Sequence, residues 1–120
     1  LGFSVDASNN FQAEDTGITF TLRHDQGEIT VIRNGTQFAD LESYLRSIDS
    51  NNQGYNIQNV VNMTINNFNA VSRVESTENN KYKIYYIYTE DAVYNLSTSS
   101  ESLYDDLDQI AKSFRYTGGN

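Results

Sequence analysis

The chain has 120 residues and a formal net charge of −8, from 16 acidic residues against 8 lysines and arginines. This balance disfavours nucleic acids and anionic membrane surfaces as partners, because binding to both depends on clustered Lys and Arg. Cysteine is absent, which excludes disulfides, thiolate chemistry and cysteine-ligated metal sites.

The first third of the chain is predicted to form strands. Phe3 to Val5 is a short strand, and residues 6–17 are a polar connection in which Phe11 is the expected anchor. An alternating strand follows, with its apolar residues on one buried face: Ile18, Phe20 and Leu22. Residues 24–27 predict a turn and residues 28–33 a returning strand, so this region reads as a β-hairpin that ends at Asn34-Gly35.

A first helix is predicted over residues 40–50. Asp40 is suited to cap its first turn, and the apolar residues recur at helical spacing on one face: Leu41, Tyr44, Leu45 and Ile48. A polar, Asn-rich loop is predicted over residues 49–58. A second hairpin follows, with strands over residues 60–65 and 70–77 that are joined across Asn66-Asn67.

The strand predicted over residues 82–88 is apolar on both of its faces. One face carries Tyr82, Ile84, Tyr86 and Tyr88, and the other carries Lys83, Tyr85 and Ile87. Because a sheet with one face in water shows a clean alternation instead, this pattern predicts a packed layer on each side of the sheet. Residues 92–96 predict the next antiparallel strand.

A second helix is predicted over residues 101–115, after Ser99 and Ser100 as possible caps. Its apolar stripe is Leu103, Leu107, Ile110, Ala111 and Phe114. Acidic residues near its start and Lys112 and Arg115 near its end complement the helix dipole.

These elements predict one domain over residues 1–120, of the α+β class. The architecture is a three-layer α/β/α sandwich, with a mainly antiparallel sheet of about six to seven strands and main helices over residues 40–50 and 101–115. Two helices at separated points of the chain can cover opposite faces of the sheet, which the doubly apolar strand requires.

Five short motifs carry a family resemblance: FSVDASNNF from Phe3, GITFTL from Gly17, DLESYL from Asp40, MTINNFNAV from Met63 and LDQIAKSFR from Leu107. With these motifs the chain resembles the PsbP-like superfamily, which includes photosystem II extrinsic subunits, a Ran-binding release factor and DcrB-type bacterial lipoproteins. The resemblance implies a non-enzymatic accessory or binding role outside the cytoplasm, and it supplies no catalytic residues. The chain begins at Leu1 rather than Met, which is typical of a processed or excised segment. No apolar run approaches the ~20 residues of a transmembrane helix.

Two sequence features suggest metal or acid–base chemistry, and neither is complete. Residues 49–54 resemble the start of an EF-hand calcium loop, but the position of its bidentate Glu is occupied by Val60. His24 is the single histidine, and it is expected to be solvated in a hairpin turn. We therefore predict no catalytic residue, no metal and no cofactor.

The predicted binding site is the Asn-rich loop after the first helix. Its residues are Asp49, Asn51, Asn52 and Tyr55, and Tyr55 is expected to be the most exposed aromatic residue. Tyr44, Tyr82, Tyr86 and Tyr88 are interpreted as core. Asn34, Asn62 and Asn95 each match the glycosylation acceptor pattern, and only Asn34, at a predicted turn, is a suitable acceptor.

Two functions remain open from the sequence. The first is an accessory domain that is exported or surface-anchored and binds another protein. The alternative is a structural subunit of an extracellular assembly or filament, because a Lys-poor chain leaves its sheet edges less protected against pairing.

Overall fold

The computed structural model describes residues 2–51, 54–90 and 92–118, and in these residues a seven-stranded antiparallel sheet carries one helix on each face. The strands are β1 Phe3–Ser4, β2 Gln12–Asp15, β3 Thr19–His24, β4 Gly27–Gly35, β5 Asn56–Ile65, β6 Phe68–Ser76, β7 Lys81–Tyr88, β8 Ala92–Thr98 and β9 Arg115–Tyr116. The helices are α1 Leu41–Asn51 and α2 Tyr104–Lys112, and a 3₁₀ turn at Glu101–Leu103 precedes α2. The order across the large sheet is β2-β3-β4-β8-β7-β6-β5, and β1 pairs with β9 in a separate two-stranded sheet.

The α+β sandwich predicted from the sequence is confirmed, because each face of β7 packs under a different helix. Tyr85 and Ile87 join the core beneath α2, together with Leu107 and Phe114. Tyr86 joins a second core beneath α1, with Leu45 among its members. We refer to these two sides of the sheet as the α2 face and the α1 face.

Two strands were missed in the sequence. Residues 6–17 contain β2 and were predicted to be a polar connection. Residues 115–116 form β9, and the first of them, Arg115, was assigned to the second helix. All four residues of β2 are exposed, so no apolar alternation marks it. Its pairing with β3, from Gln12 opposite Arg23 to Asp15 opposite Phe20, is what holds it as a strand.

Both helix boundaries differ in part from the prediction. Asp40 caps α1 as predicted, since its Oδ1 accepts a hydrogen bond of 2.8 Å from the Ser43 amide. α1 then continues to Asn51 and β5 starts at Asn56, so the predicted loop over residues 49–58 is mostly helix and strand.

The predicted caps of the second helix are wrong. Among the described residues, neither the 3₁₀ turn nor α2 has a side-chain cap. Ser100 Oγ instead donates to the carbonyl of Gln26 at 2.8 Å, which ties the turn between β3 and β4 to the start of the 3₁₀ turn. The helix ends at Lys112, and Phe114 is still fully buried beyond its end.

Two apolar residues that were expected in the core are exposed. Ile18 precedes β3 and is 78% exposed, and Tyr82 lies near the start of β7, where the α1 face is open. The turn between β5 and β6 is as predicted. Asn66 and Asn67 both have positive φ, at 47° and 74°, as a two-residue hairpin turn requires.

Candidate functional site

A groove of about 730 Å³ runs between α1 and the neighbouring strands β5 and β6. It exists because α1 packs over β6, β7 and β8, while β5 contributes no residue to the core beneath the helix. Glu42 and Arg46 stand on the helix side, and they form an exposed i,i+4 ion pair of 2.9 Å. Val60, Asn62 and Asn69 lie on the strand side. We call this feature the α1 groove.

The inner end of the α1 groove is closed by a buried arginine. Arg73 on β6 has a side chain only 6% exposed, and it binds Asp49 of α1 through both terminal nitrogens, at 2.6 and 3.1 Å. Its Nε donates to Glu75 Oε2 at 2.7 Å. The guanidinium also lies 5.1 Å from the ring centre of Tyr86, and the Tyr86 hydroxyl donates to the same Glu75 oxygen.

The electrostatics of this network favour its charged, paired form. Burial alone would lower the pKa of Arg73, but hydrogen bonds to Asp49 and Glu75 outweigh burial and raise it. Burial, and then the contact with Glu75, raises the pKa of Tyr86, so its hydroxyl stays protonated. These four groups therefore satisfy one another, and the network fixes the end of α1 on the sheet.

A smaller cavity of about 260 Å³ lies on the other side of the same network. Tyr55 and Ile57 contribute to its lining, and Asn95 of β8 reaches it from the sheet. The Asn95 Oδ1 is buried and has no hydrogen-bond partner among the described residues. This cavity joins the predicted Tyr55 site to the buried network.

The strand β5 forms one edge of the large sheet, and it is exposed over most of its ten residues. A bulge interrupts its pairing with β6, because Asn59 and Val60 together lie opposite Arg73 alone. Asn59 has a φ of 55° there. Val60 lines the α1 groove, whereas Val61 lines a depression on the α2 face. They are 55% and 51% exposed.

The structure places the predicted binding residues in different environments. Asp49 is committed to the ion pair with Arg73, and Asn51 is exposed at the last position of α1. Asn52 lies outside the described residues. Tyr55 is 44% exposed, as predicted. Asp49, Asn51 and Tyr55 therefore do not form one exposed loop.

The other sequence features have structural roles. Asn34 lies within β4 rather than at a turn, and its Nδ2 is 3.4 Å from the Tyr44 hydroxyl, which removes the reason for predicting it as an acceptor. His24 is half-buried against the Phe11 ring, 4.9 Å between centres, and its Nδ1 accepts a hydrogen bond from the Gln26 amide. His24 is therefore less solvated than expected, and Phe11 is an anchor as predicted.

The calcium-loop resemblance begins inside α1 rather than in a loop. Its first residue, Asp49, is helical and forms an ion pair with Arg73. Asn52 and Gln53 lie outside the described residues. In the part of the chain that the structure describes, no three His, Cys, Asp or Glu residues are grouped so that they could hold a metal ion.

The sequence prediction missed Arg73 and the open edge of β5. Arg73 and Glu75 lie among the valines of β6 in the sequence. Because a buried charge needs a partner, they could have been predicted to pair with each other or with a nearby acid. The uncharged run from Asn56 to Ile65 was also visible. What could not be read was the position of this strand at the edge of the sheet.

Within the described residues, neither helix combines the length and apolar character needed to cross a membrane. No protein-family model and no curated protein matches the chain in sequence.

Similarity appears at the level of solved structures. The solution structure of cyanobacterial PsbP (CyanoP) from Synechocystis sp. PCC 6803 is similar over 96% of this chain and 86% of that chain, with a TM-score of 0.60 and 10% identity. A crystal structure from Bacteroides thetaiotaomicron VPI-5482 is similar over 98% of this chain, with a TM-score of 0.63 and 12% identity. This chain spans 46% of the Bacteroides chain. The sheet, its two helices and these similarities identify the fold of the chain as PsbP-like.

Proposed function

We propose that this chain is a non-enzymatic accessory domain that binds a protein partner in the α1 groove. The observation that carries the proposal is the open groove itself, which has a charged helix wall and a strand wall of mixed polar and apolar residues. We further propose that the domain works outside the cytoplasm, exported or surface-anchored. That location is supported by the PsbP-like resemblance alone.

The lining of the groove suits an extended polypeptide segment. Val60 offers an exposed apolar contact, and the amides of Asn62 and Asn69 can each donate and accept hydrogen bonds. Interfaces between proteins combine apolar contacts with a polar rim in this way. Tyr55, which is exposed just beyond Asp49, adds the type of aromatic residue that is enriched at interfaces.

The state of the titratable groups near the groove supports a binding role rather than catalysis. A general acid or base works best when its pKa lies near the operating pH. Tyr86 is shifted away from that range, and Arg73 is held as a cation by Asp49 and Glu75. Their interactions are directed at one another rather than at the open groove.

The charge of the chain indicates the kind of partner. With a net charge of −8, the protein attracts basic surfaces and repels acidic ones. Glu42 is an exposed carboxylate on the helix wall of the groove, and the exposed Asp40 lines the groove at the start of the helix. We therefore expect the partner to contribute lysine or arginine near Glu42.

The proposal is tested by capture of proteins from an envelope extract of the source cells on the immobilised chain, with quantification by mass spectrometry. Glu42→Lys should reduce the captured partner about tenfold or more, and Tyr55→Ser should also reduce it. Glu14→Lys is the matched control. Glu14 is an exposed residue on β2 at the opposite edge of the sheet, and its substitution changes the net charge equally.

Equal loss of the partner in Glu42→Lys and Glu14→Lys would mean that only overall charge matters, and it would reject the groove as the site. Unchanged capture in both groove variants would do the same.

A structural subunit of an extracellular assembly is the second proposal, and one observation favours it. The β5 edge is ten residues long and carries no charge, so it lacks the lysines that commonly block edge-to-edge pairing. Sedimentation over a range of concentrations separates the two proposals, because a subunit forms large species and an accessory domain does not.

A further inference from the structure

The outer side of β5 has backbone groups that nothing in the described chain uses. Ile65 and Phe68 flank the two-residue turn and form a hydrogen-bonded pair, and such pairs alternate along an antiparallel ladder. Asn62 and Thr64 therefore direct their N–H and C=O groups away from β6. These groups can accept another strand.

We propose that the occupant of this edge is a second copy of the chain, paired through its own β5. The two strands would run antiparallel around a two-fold axis and would join two seven-stranded sheets into one. The regular stretch between the bulge and the turn covers residues 61–65. Within it, Asn62 is the outward-directed residue next to the two exposed valines, so it is expected to face Asn62 of the other copy.

The side chains at the centre of β5 support this occupant. Val60 and Val61 are both more than half exposed, and as consecutive strand residues they lie on opposite faces of the sheet. An added strand would carry its own side chains on both faces and would pack beside both valines. A partner that touched only one face would leave one of them in water.

The local charge of this edge is compatible with a second copy. Two molecules that each carry a net charge of −8 repel one another, so self-association requires a surface with little charge. The ten residues from Asn56 to Ile65 contain no Asp, Glu, Lys or Arg. Pairing of β5 with itself therefore brings no like charges into direct contact.

The opposite edge of the sheet explains why the pairing should stop at two copies. β2 has only four residues, and it ends in Glu14 and Asp15. A short acidic strand is a poor template for pairing, so among the described strands β5 of one copy has no comparable edge to meet except β5 of another. A self-complementary contact closes a dimer, whereas a β5–β2 contact would propagate a filament.

The dimer would enlarge the α1 groove. The two-fold axis of an antiparallel pair is perpendicular to the sheet, so both α1 helices would lie on the same face. The two grooves would then form one trough with a β5 floor and a helix along each side. This consequence rests on the proposed function, whereas the pairing itself does not.

The pairing is tested by analytical ultracentrifugation of the 120-residue chain from about 1 µM to 1 mM. We expect a monomer–dimer equilibrium in the micromolar range, because one strand pair is a small interface. Asn62→Lys and Asn62→Glu should each weaken the dimer tenfold or more, since like charges would face each other across the axis. An equimolar mixture of the two variants should recover a heterodimer, because the charges are then opposite.

Ala13→Lys, on the exposed edge strand β2, is the control and should dimerise like the unmodified chain. A monomer at 1 mM would overturn the proposal, and so would a dimer that Asn62→Lys leaves intact. Species larger than the dimer that Ala13→Lys disperses would instead identify β5–β2 filament contacts.

The register is tested separately by Asn62→Cys. The chain has no other cysteine, and residues opposite one another in an antiparallel pair are close enough for a disulfide. Mild oxidation should trap a covalent dimer, and Ala13→Cys should not.

The two proposals fail in different ways. Glu42→Lys lies on the helix wall, away from the paired strand, so it should leave the dimer unchanged while it reduces partner capture. If the chain formed the β5 dimer but captured no partner that depends on the α1 groove, only the proposed function would be rejected. If the chain were a strict monomer at 1 mM and Glu42→Lys still reduced partner capture, only the inference of a β5 dimer would be rejected.

Discussion

At the scale of single residues, Arg73 has the largest consequence. It is the cation that joins α1 to β6, through hydrogen bonds to Asp49 and Glu75. The sequence could show that Asp49 is polar and follows a helix, which led to its assignment as a binding residue. It could not show the pairing, because Arg73 is 24 residues away and only the fold brings the two together.

Replacement of Arg73 by methionine is expected to lower the free energy of unfolding by about 3 kcal/mol. The loss arises because Glu75 would remain buried without its cation, and removal of one partner of a buried pair is strongly destabilising. The measurement is urea denaturation at pH 7, followed by circular dichroism.

Arg46→Met is the matched control for this prediction. Arg46 also pairs with a carboxylate, Glu42, but both side chains are largely exposed, so the loss should stay below about 0.5 kcal/mol. Similar losses in the two variants would show that the buried network contributes no more than a surface ion pair.

At the scale of elements, the sequence predicted those helices and strands whose apolar residues recur at a regular spacing. β7 has apolar residues on both faces, and α1 and α2 each have an apolar stripe. These patterns exist because the residues concerned are buried. β2 and β9 have no such pattern. They are strands because β3 and β1 lie beside them, and that proximity is a property of the folded chain.

The contact between the β3–β4 turn and the 3₁₀ turn also depends on proximity in the folded chain. Gly27 has a φ of 146°, and a Cβ atom at this position would lie 2.8 Å from the Cβ of Ser100. Gly27→Ala should therefore strain the backbone and push the two turns apart, with a loss of about 2 kcal/mol in unfolding free energy.

Gly35→Ala provides the comparison within the same strand. A Cβ atom there would meet nothing within 4 Å among the described residues, so the change should stay within about 0.5 kcal/mol. Thermal unfolding of both variants measures the difference. If Gly27→Ala were as stable as Gly35→Ala, the contact between the two turns would contribute little.

At the scale of the whole molecule, the three-layer architecture followed from the sequence but the open surfaces did not. A doubly apolar strand requires cover on both faces, and this requirement fixes the number of layers. The area that each helix covers depends on where it crosses the sheet. α1 crosses β6, β7 and β8 and leaves β5 bare, and this asymmetry creates both the groove and the free edge.

The same architecture predicts that residues 1–120 unfold as one unit. The cores beneath α1 and α2 share the backbone of β7 and β8, so neither can lose its strands while the other keeps them. Leu45→Ala beneath α1 and Leu107→Ala beneath α2 should each lower the unfolding free energy by about 2–5 kcal/mol. In each variant, far-UV circular dichroism and tyrosine fluorescence should give one coincident transition in urea with an unchanged slope. A separate early transition in Leu45→Ala would instead mean that α1 and its core unfold independently, and the α1 groove would then be a surface that partner binding could order.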